Sequence, residues 1–366
     1  RLNLLNFKNY AESSMDFDQG VNIFTGLNGQ GKTNLLDAIH YLSLCKSYFN
    51  PVDKQNIKHG EEFFVIEGEI EKDDQIDKLY CGVQKGKKKV FRRNKEEYEK
   101  LADHIGRYPS VVISPYDKDL ISEGSDVRRK FVDGIVSQFN RSYLDALIQY
   151  NRVLRQRNAL LKYFWENRVF QPENLEVWSE QLVVGAEKIH DVRSDFIRAF
   201  NPLFSDHYQA ISGGEEEASI EYVSHVTDSN FKAILDSSLE KDKRTQYTNV
   251  GAHKDDLRFL INGYPLKKFG SQGQQKTFLI SLKLAQYDLL KAYTGTAPIL
   301  LLDDIFDKID DERVKHLMNL VSQHNFGQIF ITDTHADRIA SIFSDFGEKI
   351  KVFTVKKGNV DGEKSE

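Results

Sequence analysis

The pattern of apolar and polar positions divides the chain into strand-like ends and a helical middle. Short apolar runs typical of strands occur at 2–4, 21–24, 63–70, 79–83, 111–113, 299–302 and 328–331. The runs 299–302 and 328–331 are continuously apolar, which is typical of strands buried on both faces. Between the two ends, residues 125–167 and 175–200 carry apolar positions three and four apart. This spacing predicts two long helices, each with one buried stripe.

The order of these elements predicts the fold class. The seven prolines mark boundaries between elements, and strand, helix, strand order recurs at both ends of the chain. We therefore expect an α/β domain built from both termini, with a mainly helical lobe, including a helical hairpin, inserted between them. The length of 366 residues agrees with roughly two domains. The predicted limits are 1–115 and 295–366 for the α/β domain and 116–294 for the inserted lobe.

A glycine-rich stretch, the phosphate loop of residues 26–33, follows the strand predicted at 21–24. It reads Gly-Leu-Asn-Gly-Gln-Gly-Lys-Thr, fits the pattern G-x-x-x-x-G-K-[ST] and opens a predicted helix. Backbone N–H groups of such a loop and the helix N-terminus attract phosphate oxygens. Lys32, also a predicted catalytic residue, would reach the β- and γ-phosphates of ATP, and Thr33 would bind Mg²⁺. An incidental glycine-rich turn is the alternative. The candidate ATP-binding residues are Gly26, Leu27, Asn28, Gly29, Gln30, Gly31, Lys32, Thr33 and Asn34.

Two acidic residues end the apolar strand predicted at 299–302. Asp303 and Asp304 follow that strand directly, and ligands of open α/β sheets bind at the carboxyl ends of strands. Asp303 is the predicted Mg²⁺ ligand together with Thr33. Asp304 is the predicted catalytic residue, which would polarise the attacking water as a general base. The alternative is a strand that ends in a solvated acidic turn.

A second glycine-containing turn, the signature turn of residues 270–276, precedes another predicted helix. It reads Gly-Ser-Gln-Gly-Gln-Gln-Lys and offers Ser271 as the helix N-cap. Since one chain rarely needs two phosphate sites for one nucleotide, we expect this turn to bind the γ-phosphate held by a second subunit. An ordinary capped helix is the alternative. The candidate nucleotide-binding residues here are Ser271, Gly273, Gln274 and Gln275.

These segments together resemble a known family. The signature turn, in its position, resembles the signature of ABC-type ATPases, in which two heads enclose two nucleotides. Combined with Asp303, Asp304 and the phosphate loop, it resembles the RecF family. Three further stretches agree: 4–10 (LLNFKNY), 114–133 with its SP and RRKFVD, and 251–257 (GAHKDDL). The resemblance covers essentially the whole chain, in order.

The chain departs from the family pattern at two places. Ala252 and Lys254 stand where the family usually has Pro and Arg. Residues 306–310 read Phe-Asp-Lys-Ile-Asp in place of the more usual Ser-Glu-Leu-Asp, although Asp310 keeps the acid expected to face the partner subunit. These differences concern contacts between subunits rather than the nucleotide site.

The resemblance implies an ABC-type P-loop ATPase head with ATP and Mg²⁺ as cofactors. It implies an ATP-dependent homodimer with weak, DNA-stimulated hydrolysis. It also implies a mediator of gap repair that binds duplex or gapped DNA near single-strand junctions and works with RecO and RecR to load the recombinase. The alternative is a chromosome-organising ATPase head or an ATP-gated scaffold without significant turnover. Only residues 34–270 separate the two nucleotide motifs, too few for the long arms of a rod-forming head.

Three residues are weaker candidates for nucleotide contact. In ABC-type heads a histidine near the position of His335 contacts the γ-phosphate, and the alternative is a surface histidine that opens the next helix. Lys8 and Asn9 belong to an N-terminal turn that lies near the nucleotide in related heads. A solvated hairpin is the alternative for these two residues.

The net charge at first argues against binding to nucleic acid. The chain has 50 Lys and Arg residues and 55 Asp and Glu residues, which gives a net charge of −5. The distribution changes this picture, because segment 85–95 holds seven positive charges and no acid. Six more cations lie in the predicted helical hairpin: Arg141, Arg152, Arg155, Arg157, Lys162 and Arg168. Since we find no base-reading motif, we expect sequence-independent DNA binding. A solvated hairpin and a solvated helix face are the alternatives.

The remaining composition indicates the compartment. Cys45 and Cys81 are too few for a disulfide framework, and neither they nor the histidines show metal-ligand spacing. We find no run of about 18 apolar residues and no charged-then-apolar leader. We therefore expect a cytoplasmic protein with no membrane partner.

Overall fold

The computed structural model describes residues 1–214, 216–226, 230–305, 327–334 and 350–363. The chain forms two compact units. Residues 1–117 and 286–366 build the first unit, and residues 118–285 build the second. Assignment of residues 1–115, 116–294 and 295–366 to an ATPase lobe and an inserted lobe stays a prediction.

The N-terminal part of the first unit is mainly β-structure. Its strands and helix are β1 (Leu2–Phe7), β2 (Tyr10–Met15), β3 (Val21–Thr25), α1 (Lys32–Leu44), β4 (Phe63–Lys72), β5 (Gln75–Gln84), β6 (Val90–Arg93), β7 (Glu96–Glu97) and β8 (Ser110–Ile113). An antiparallel sheet has the order β2-β1-β4-β5-β6-β7. The strands predicted at 2–4, 63–70 and 79–83 are confirmed.

The second unit is mainly helical. Its elements are α2 (Asp119–Ser122), α3 (Ser125–Phe139), α4 (Arg141–Asn167), α5 (Pro172–Ser212), β9 (Ala218–Val223), α6 (Phe231–Ser237), α7 (Leu239–Thr245), β10 (Asp256–Ile261), β11 (Tyr264–Pro265) and α8 (Leu266–Phe269). Helix α9 (Gln272–Thr294) begins in this unit and ends in the first. Helix α4 packs along α5, which confirms the predicted hairpin. The antiparallel sheet β11-β10-β9 is a feature that the sequence did not predict. Within the described parts of the chain, no helix combines the length and apolar character needed to cross a membrane.

The C-terminal strands complete a parallel sheet in the first unit. They are β12 (Ile299–Asp303), β13 (Ile329–Asp333), β14 (Ile350–Lys356) and β15 (Asn359–Glu363). The order is β15-β14-β3-β13-β12-β8, and β15 is the antiparallel edge strand. Leu301 lies opposite Phe330 on one side and Val112 on the other. The three side chains are buried, which accounts for the apolar runs of their strands. The α/β prediction is confirmed.

One apolar core anchors α1 in the first unit. Leu35 and Leu36 of α1 belong to a buried cluster with Phe24 of β3, Phe330 of β13 and Leu301 of β12. This packing fixes the N-terminus of α1 at the carboxyl ends of the central strands, where open α/β sheets bind ligands.

The helix expected over 125–167 is interrupted at Asn140. Its φ of −122° and ψ of 93° leave the helical region, and its side chain accepts a 2.9 Å hydrogen bond from the backbone N–H of Tyr143. Asn140 therefore caps α4 and separates it from α3. The prediction of one continuous helix is wrong, because apolar positions at helical spacing occur on both sides of this cap.

Helix α5 continues through Pro202, which was expected to mark a boundary. The buried rings of Phe200 and Phe204 hold the helix on both sides of the proline. Asn201 also exchanges two hydrogen bonds with the backbone of Ile220 in β9, at 2.8 and 3.1 Å. These contacts offset the one backbone hydrogen bond that proline removes.

Candidate functional site

The phosphate loop connects β3 to α1. Gly31 caps α1 with a φ of 114°, a left-handed conformation that favours glycine. A Cβ atom at Gly31 would overlap the carboxamide of Asn9, and one at Gly26, where φ is 148°, would overlap the carbonyl oxygen of Val355. Side chains at these two positions would therefore displace the loop. The other predicted loop residues include the exposed Leu27, Asn28 and Gly29 and the half-buried Gln30, Thr33 and Asn34.

Lys32 points its ammonium into the loop. Its side chain is buried, and Nζ donates to the carbonyl oxygens of Gly26 at 2.7 Å and Leu27 at 3.4 Å. Both acceptors are neutral, so these contacts orient the positive charge without cancelling it. An anion that binds to the loop would therefore lie next to an ammonium group that is already oriented towards it.

A chain of carboxamides braces the loop. The Asn34 side chain donates to Asn9 Oδ1 at 2.7 Å, and Asn9 Nδ2 donates to the carbonyl oxygen of Gln30 at 2.9 Å. The Gln30 side chain in turn accepts a 2.7 Å hydrogen bond from the backbone N–H of Lys357. Asn9 is therefore placed beside the loop, where the sequence expected it, but its carboxamide is engaged with the loop itself.

Lys8 is held away from solvent. Its ammonium lies 2.5 Å from Asp37 Oδ2, and only 15% of its side chain is exposed. The centroids of the Phe7 and Phe49 rings lie 5.6 and 5.5 Å from the same ammonium nitrogen. The solvated-hairpin alternative is therefore wrong for Lys8. A role in nucleotide contact stays a prediction, and it would have to compete with the Asp37 ion pair.

The end of β12 brings a carboxylate to the phosphate loop. Thr33 Oγ1 donates to Asp303 Oδ1 at 2.8 Å. Thr332 donates to the same oxygen at 2.9 Å, and Ser114 donates to Oδ2 at 3.3 Å. Burial raises the pKa of Asp303 above its ordinary value, while the hydrogen bonds from the two threonines and the serine oppose that rise.

Ser114 and Thr332 are site residues that sequence reasoning did not select. Each stands at the end of a strand next to β12 in the parallel sheet: Ser114 directly follows β8, and Thr332 is the fourth residue of β13. The carboxyl ends of parallel neighbours meet at one edge. The hydroxyl residues that follow the predicted strands at 111–113 and 328–331 could therefore have been proposed as site residues. That proposal would also have required knowing that both strands are neighbours of β12.

Asp304 has a strained backbone beside the same carboxylate. Its φ is 44°, in the left-handed region, and its N–H donates to Thr332 Oγ1 at 3.0 Å. Non-glycine residues held in this conformation cluster at functional sites. Its role as the general base stays a prediction.

Thr33 and Asp303 fit the chemistry of Mg²⁺, which prefers hard oxygen ligands and keeps waters and substrate phosphates in its shell. Among the described residues, no group of three or more His, Cys, Asp or Glu side chains could hold a metal. A magnesium ion at Thr33 and Asp303 would therefore depend on oxygens from nucleotide and water.

The signature turn lies in the second unit and begins α9. The backbone N–H of Gln274 donates to Ser271 Oγ at 3.2 Å, and Gln274 Oε1 accepts from the N–H of Ser271 at 2.6 Å. This reciprocal pair is a capping box and agrees with Ser271 as the N-cap. Gln275 donates to the carbonyl oxygen of Gly270 at 3.1 Å, and Gly273 is half-buried in the first turn. His335 and residues 306–310, with Asp310, lie outside the described residues.

Several positive charges of segment 85–95 are paired with carboxylates in the structure. Four of its cations form ion pairs with acidic residues outside it: Lys85 with Glu62, Lys89 with Asp53, Arg92 with Glu97 and Arg93 with Asp77. Lys89 also donates to the carbonyl oxygen of Cys45 at 2.6 Å, and only 14% of its side chain is exposed. Lys89 is therefore engaged within the protein, and it is neither a solvated cation nor one exposed for phosphate contact. Lys87, Lys88 and Lys95 are exposed.

One predicted DNA-facing cation of α4 is buried. Arg157 is 1% exposed and pairs with Asp242 at 2.8 Å, with further hydrogen bonds to Ser179 and Thr248. Its expected place on a solvated cationic face is therefore wrong. The other cations of this group are exposed: Arg141, Arg152, Arg155, Lys162 and Arg168. Two of them form ion pairs on the same helix, Arg141 with Asp145 and Lys162 with Glu166.

Two of the stretches that carry the family resemblance contact each other within the second unit. Arg128 forms a two-pronged ion pair with Asp256 at 2.7 and 3.1 Å. The buried Arg193 donates to Asp255 at 2.7 Å and Asp133 at 2.8 Å. These stretches therefore stabilise the fold of the unit. Nothing in the sequence marked Arg193 for this role.

Known proteins match nearly the whole chain. The family model described as RecF/RecN/SMC N terminal domain matches residues 1–360. A protein of Flavobacterium johnsoniae named DNA replication and repair protein RecF is 50% identical over 355 residues, which are 97% of this chain and 99% of that protein. The chain belongs to the RecF family. A RecF protein of Phocaeicola vulgatus is 47% identical over 98% of this chain and 97% of its own length.

Solved structures agree with the RecF assignment. A structure described as the recombination mediator protein RecF with ATP in the RecFOR pathway is 32% identical, with a TM-score of 0.89. The match covers 99% of this chain and 96% of that one. An Smc head domain from Pyrococcus furiosus is 16% identical with a TM-score of 0.56, over 99% of this chain and 94% of that one, and shows the fold alone. The predicted resemblance to RecF and the ABC-type head fold are both confirmed.

Proposed function

We propose that this RecF-family chain is a weak, DNA-stimulated ATPase of DNA repair that dimerises around ATP. The hydrogen bond between Thr33 and Asp303 carries the proposal, since it joins the phosphate loop to the strand-end carboxylate that such a site requires. Relatives named DNA replication and repair protein RecF, and a similar RecF structure with ATP, support the same function.

Different residues of the site would bind the phosphates of ATP and the Mg²⁺ ion. Backbone N–H groups of residues 26–34 would bind phosphate oxygens, and Lys32 would exchange its carbonyl contacts for the β- and γ-phosphates. Thr33 and Asp303 would hold the metal. Bound Mg²⁺ would neutralise charge on the phosphates. Asn9 and Asn34 would keep the loop in its binding conformation.

Hydrolysis would depend on two residues of the first unit. Asp304 would accept a proton from the attacking water. The left-handed backbone conformation of Asp304 sets the direction in which its side chain leaves the main chain. Lys32 would stabilise the charge that develops on the transferred phosphoryl group. Loss of the γ-phosphate would then remove the affinity that favours the closed dimer.

The signature turn would complete the site of a second copy. Ser271 Oγ already accepts the N–H of Gln274, so its hydroxyl hydrogen can be donated to a γ-phosphate. Gly273 would place a further backbone N–H group at the start of α9, where the helix dipole favours an anion. The backbone N–H of Gln275 already donates to the carbonyl oxygen of Ser271 at 2.9 Å, so Gln275 would support the turn. ATP would in this way become part of the dimer interface.

The proposed role in repair is supported by relatives named DNA replication and repair protein RecF and by a similar RecF structure of the RecFOR pathway. We propose sequence-independent binding of duplex or gapped DNA near single-strand junctions, with RecO and RecR as partners in loading a recombinase in the cytoplasm. The exposed cations Lys87, Lys88 and Lys95, with Arg152 and Arg155 on α4, are candidates for phosphate contacts. The comparisons do not favour the alternative of a chromosome-organising or scaffold head.

Sedimentation with and without ATP and duplex DNA, repeated across salt concentrations, tests the proposal. We expect a monomer without ATP, a dimer with ATP, and DNA binding that weakens as salt rises. Phosphate release measured in the same samples should increase when DNA is added. A chain that stays monomeric with saturating ATP would contradict the dimer, and a tight ATP-driven dimer without phosphate release would indicate a scaffold.

A further inference from the structure

A carboxylate outside the signature turn is hydrogen-bonded to it. Glu216 Oε1 accepts from Gln274 Nε2 at 2.6 Å, across 58 positions of sequence. We propose that Glu216 is a positioning residue, which fixes the carboxamide of Gln274 and through it the hydroxyl of Ser271. This inference rests on the proposed function of the signature turn in ATP-driven dimerisation.

The contacts of Gln274 show how Glu216 would act. A carboxamide has one accepting end and one donating end. Gln274 Oε1 accepts from the N–H of Ser271, which leaves Nε2 to donate to an acceptor. Glu216 Oε1 is that acceptor, so it favours the orientation that completes the capping box. A rotated carboxamide would place two donors against each other at Ser271.

Glu216 is itself held by a buried ring. The hydroxyl of Tyr208 in α5 donates to Glu216 Oε2 at 2.6 Å, and Tyr208 is fully buried. The half-buried carboxylate therefore accepts a hydrogen bond on each oxygen, and one of its donors is fixed in the core. A rigid chain of contacts runs from Tyr208 through Glu216 and Gln274 to Ser271. Support of this kind holds a binding group in its productive geometry before the ligand arrives.

The opposite effect of the same carboxylate is also physically possible. A negative charge beside the signature turn would repel an incoming γ-phosphate, and its removal would then tighten the dimer. The two roles predict opposite signs for one substitution. The short hydrogen bonds on both oxygens favour positioning, because they hold the carboxylate towards Gln274 and Tyr208.

Sedimentation equilibrium of three variants with saturating ATP and Mg²⁺ tests the proposal. Glu216→Ala should weaken ATP-driven dimerisation about ten-fold, the size expected for loss of a charge-assisted hydrogen bond. The affinity of the monomer for ATP should not change, since the phosphate loop consists of other residues. Glu216→Gln should restore dimerisation, because an amide oxygen can still accept from Gln274. Glu217→Ala is the matched control, because it removes an exposed charge at the next position.

Several outcomes would overturn the positioning role. These are unchanged or tighter dimerisation of Glu216→Ala, an equal loss in Glu217→Ala, or failure of Glu216→Gln to restore the dimer. If Glu216→Ala does not fold, Tyr208→Phe keeps the ring and removes only the hydroxyl donor, and it should weaken the dimer in the same direction. An unchanged dimer in that variant would count against the proposal. A wild-type chain that does not dimerise with ATP would instead refute the proposed function.

Discussion

The hydroxyl of Thr33 donates a 2.8 Å hydrogen bond to Asp303, although 270 positions of sequence separate the two residues. The same carboxylate accepts from Thr332 and Ser114, so three hydroxyl groups from three different segments converge on it. A carboxylate held in this way needs little rearrangement to bind a metal.

Replacing Lys32 should abolish the ATP-driven dimer. Lys32→Ala removes the ammonium that the loop carbonyls orient, and with it the charge that would hold the β- and γ-phosphates. Sedimentation with ATP should show a monomer. Lys54→Ala removes an exposed lysine from a short turn and should behave as wild type. An unchanged ATP-driven dimer of Lys32→Ala would refute the assignment of the phosphate loop.

Replacing Asp303 should abolish Mg²⁺-dependent ATP binding without lowering the stability of the nucleotide-free protein. Burial raises the pKa of this carboxyl, so the ionised form is disfavoured in the folded protein, and stability is lost as pH rises through that pKa. A neutral residue of the same size avoids this loss. Asp303→Asn should therefore leave the nucleotide-free protein at least as stable at neutral pH, while Mg²⁺-dependent ATP binding is lost.

Thermal unfolding without nucleotide and calorimetric titration with ATP and Mg²⁺ check the Asp303 prediction. A large drop in Tm for Asp303→Asn would mean that the carboxylate stabilises the fold, against the direction of its pKa. Normal Mg²⁺-dependent binding of ATP would remove Asp303 as the metal ligand.

Replacing Asp304 should leave binding intact and slow the reaction. An amide cannot accept the proton of the attacking water, so Asp304→Asn should reduce phosphate release by about 100-fold or more. ATP binding and dimerisation should persist, and the dimer should last longer because ATP is consumed slowly. Measured turnover equal to that of the wild type would exclude Asp304 as the base.

A bulky cation in the signature turn should block dimerisation alone. Ser271→Arg removes the N-cap and places a long side chain where a second copy would bring its γ-phosphate. The monomer should still bind ATP, as measured by equilibrium dialysis, but sedimentation should show no ATP-driven dimer. Loss of ATP binding by the monomer would mean that the turn acts within its own chain.

Three neighbouring lysines of segment 85–95 should differ in effect, depending on whether they are exposed or form an ion pair. Replacing Lys87 and Lys88 with Glu should weaken duplex DNA binding and reduce the slope of affinity against salt, since both are exposed. Tm should not change. Lys89→Met should instead lower stability by about 1–2 kcal/mol, because it breaks the ion pair with Asp53. DNA binding unaffected by the double change would remove this segment from the interface.

The sequence by itself determined the elements that depend on neighbouring residues. The phosphate loop, the apolar strands around Asp303 and the cap at Ser271 each follow from spacing over a few positions. The α/β fold class was predictable because continuous apolar runs and helical periods occur in a distinctive order. The interruption at Asn140 was also encoded locally, but apolar positions at helical spacing on both sides of Asn140 favoured one continuous helix.

The tertiary structure alone decided which distant groups meet. Ser114 and Thr332 reach Asp303 because β8 and β13 lie on either side of β12, and local periodicity does not specify strand order. Folding likewise decided the state of the charges. Arg157 is cationic in sequence but buried against Asp242, a partner 85 positions away. The physical reason is the same throughout: hydrogen bonds and ion pairs depend on distances of a few ångströms, which only the packed chain defines.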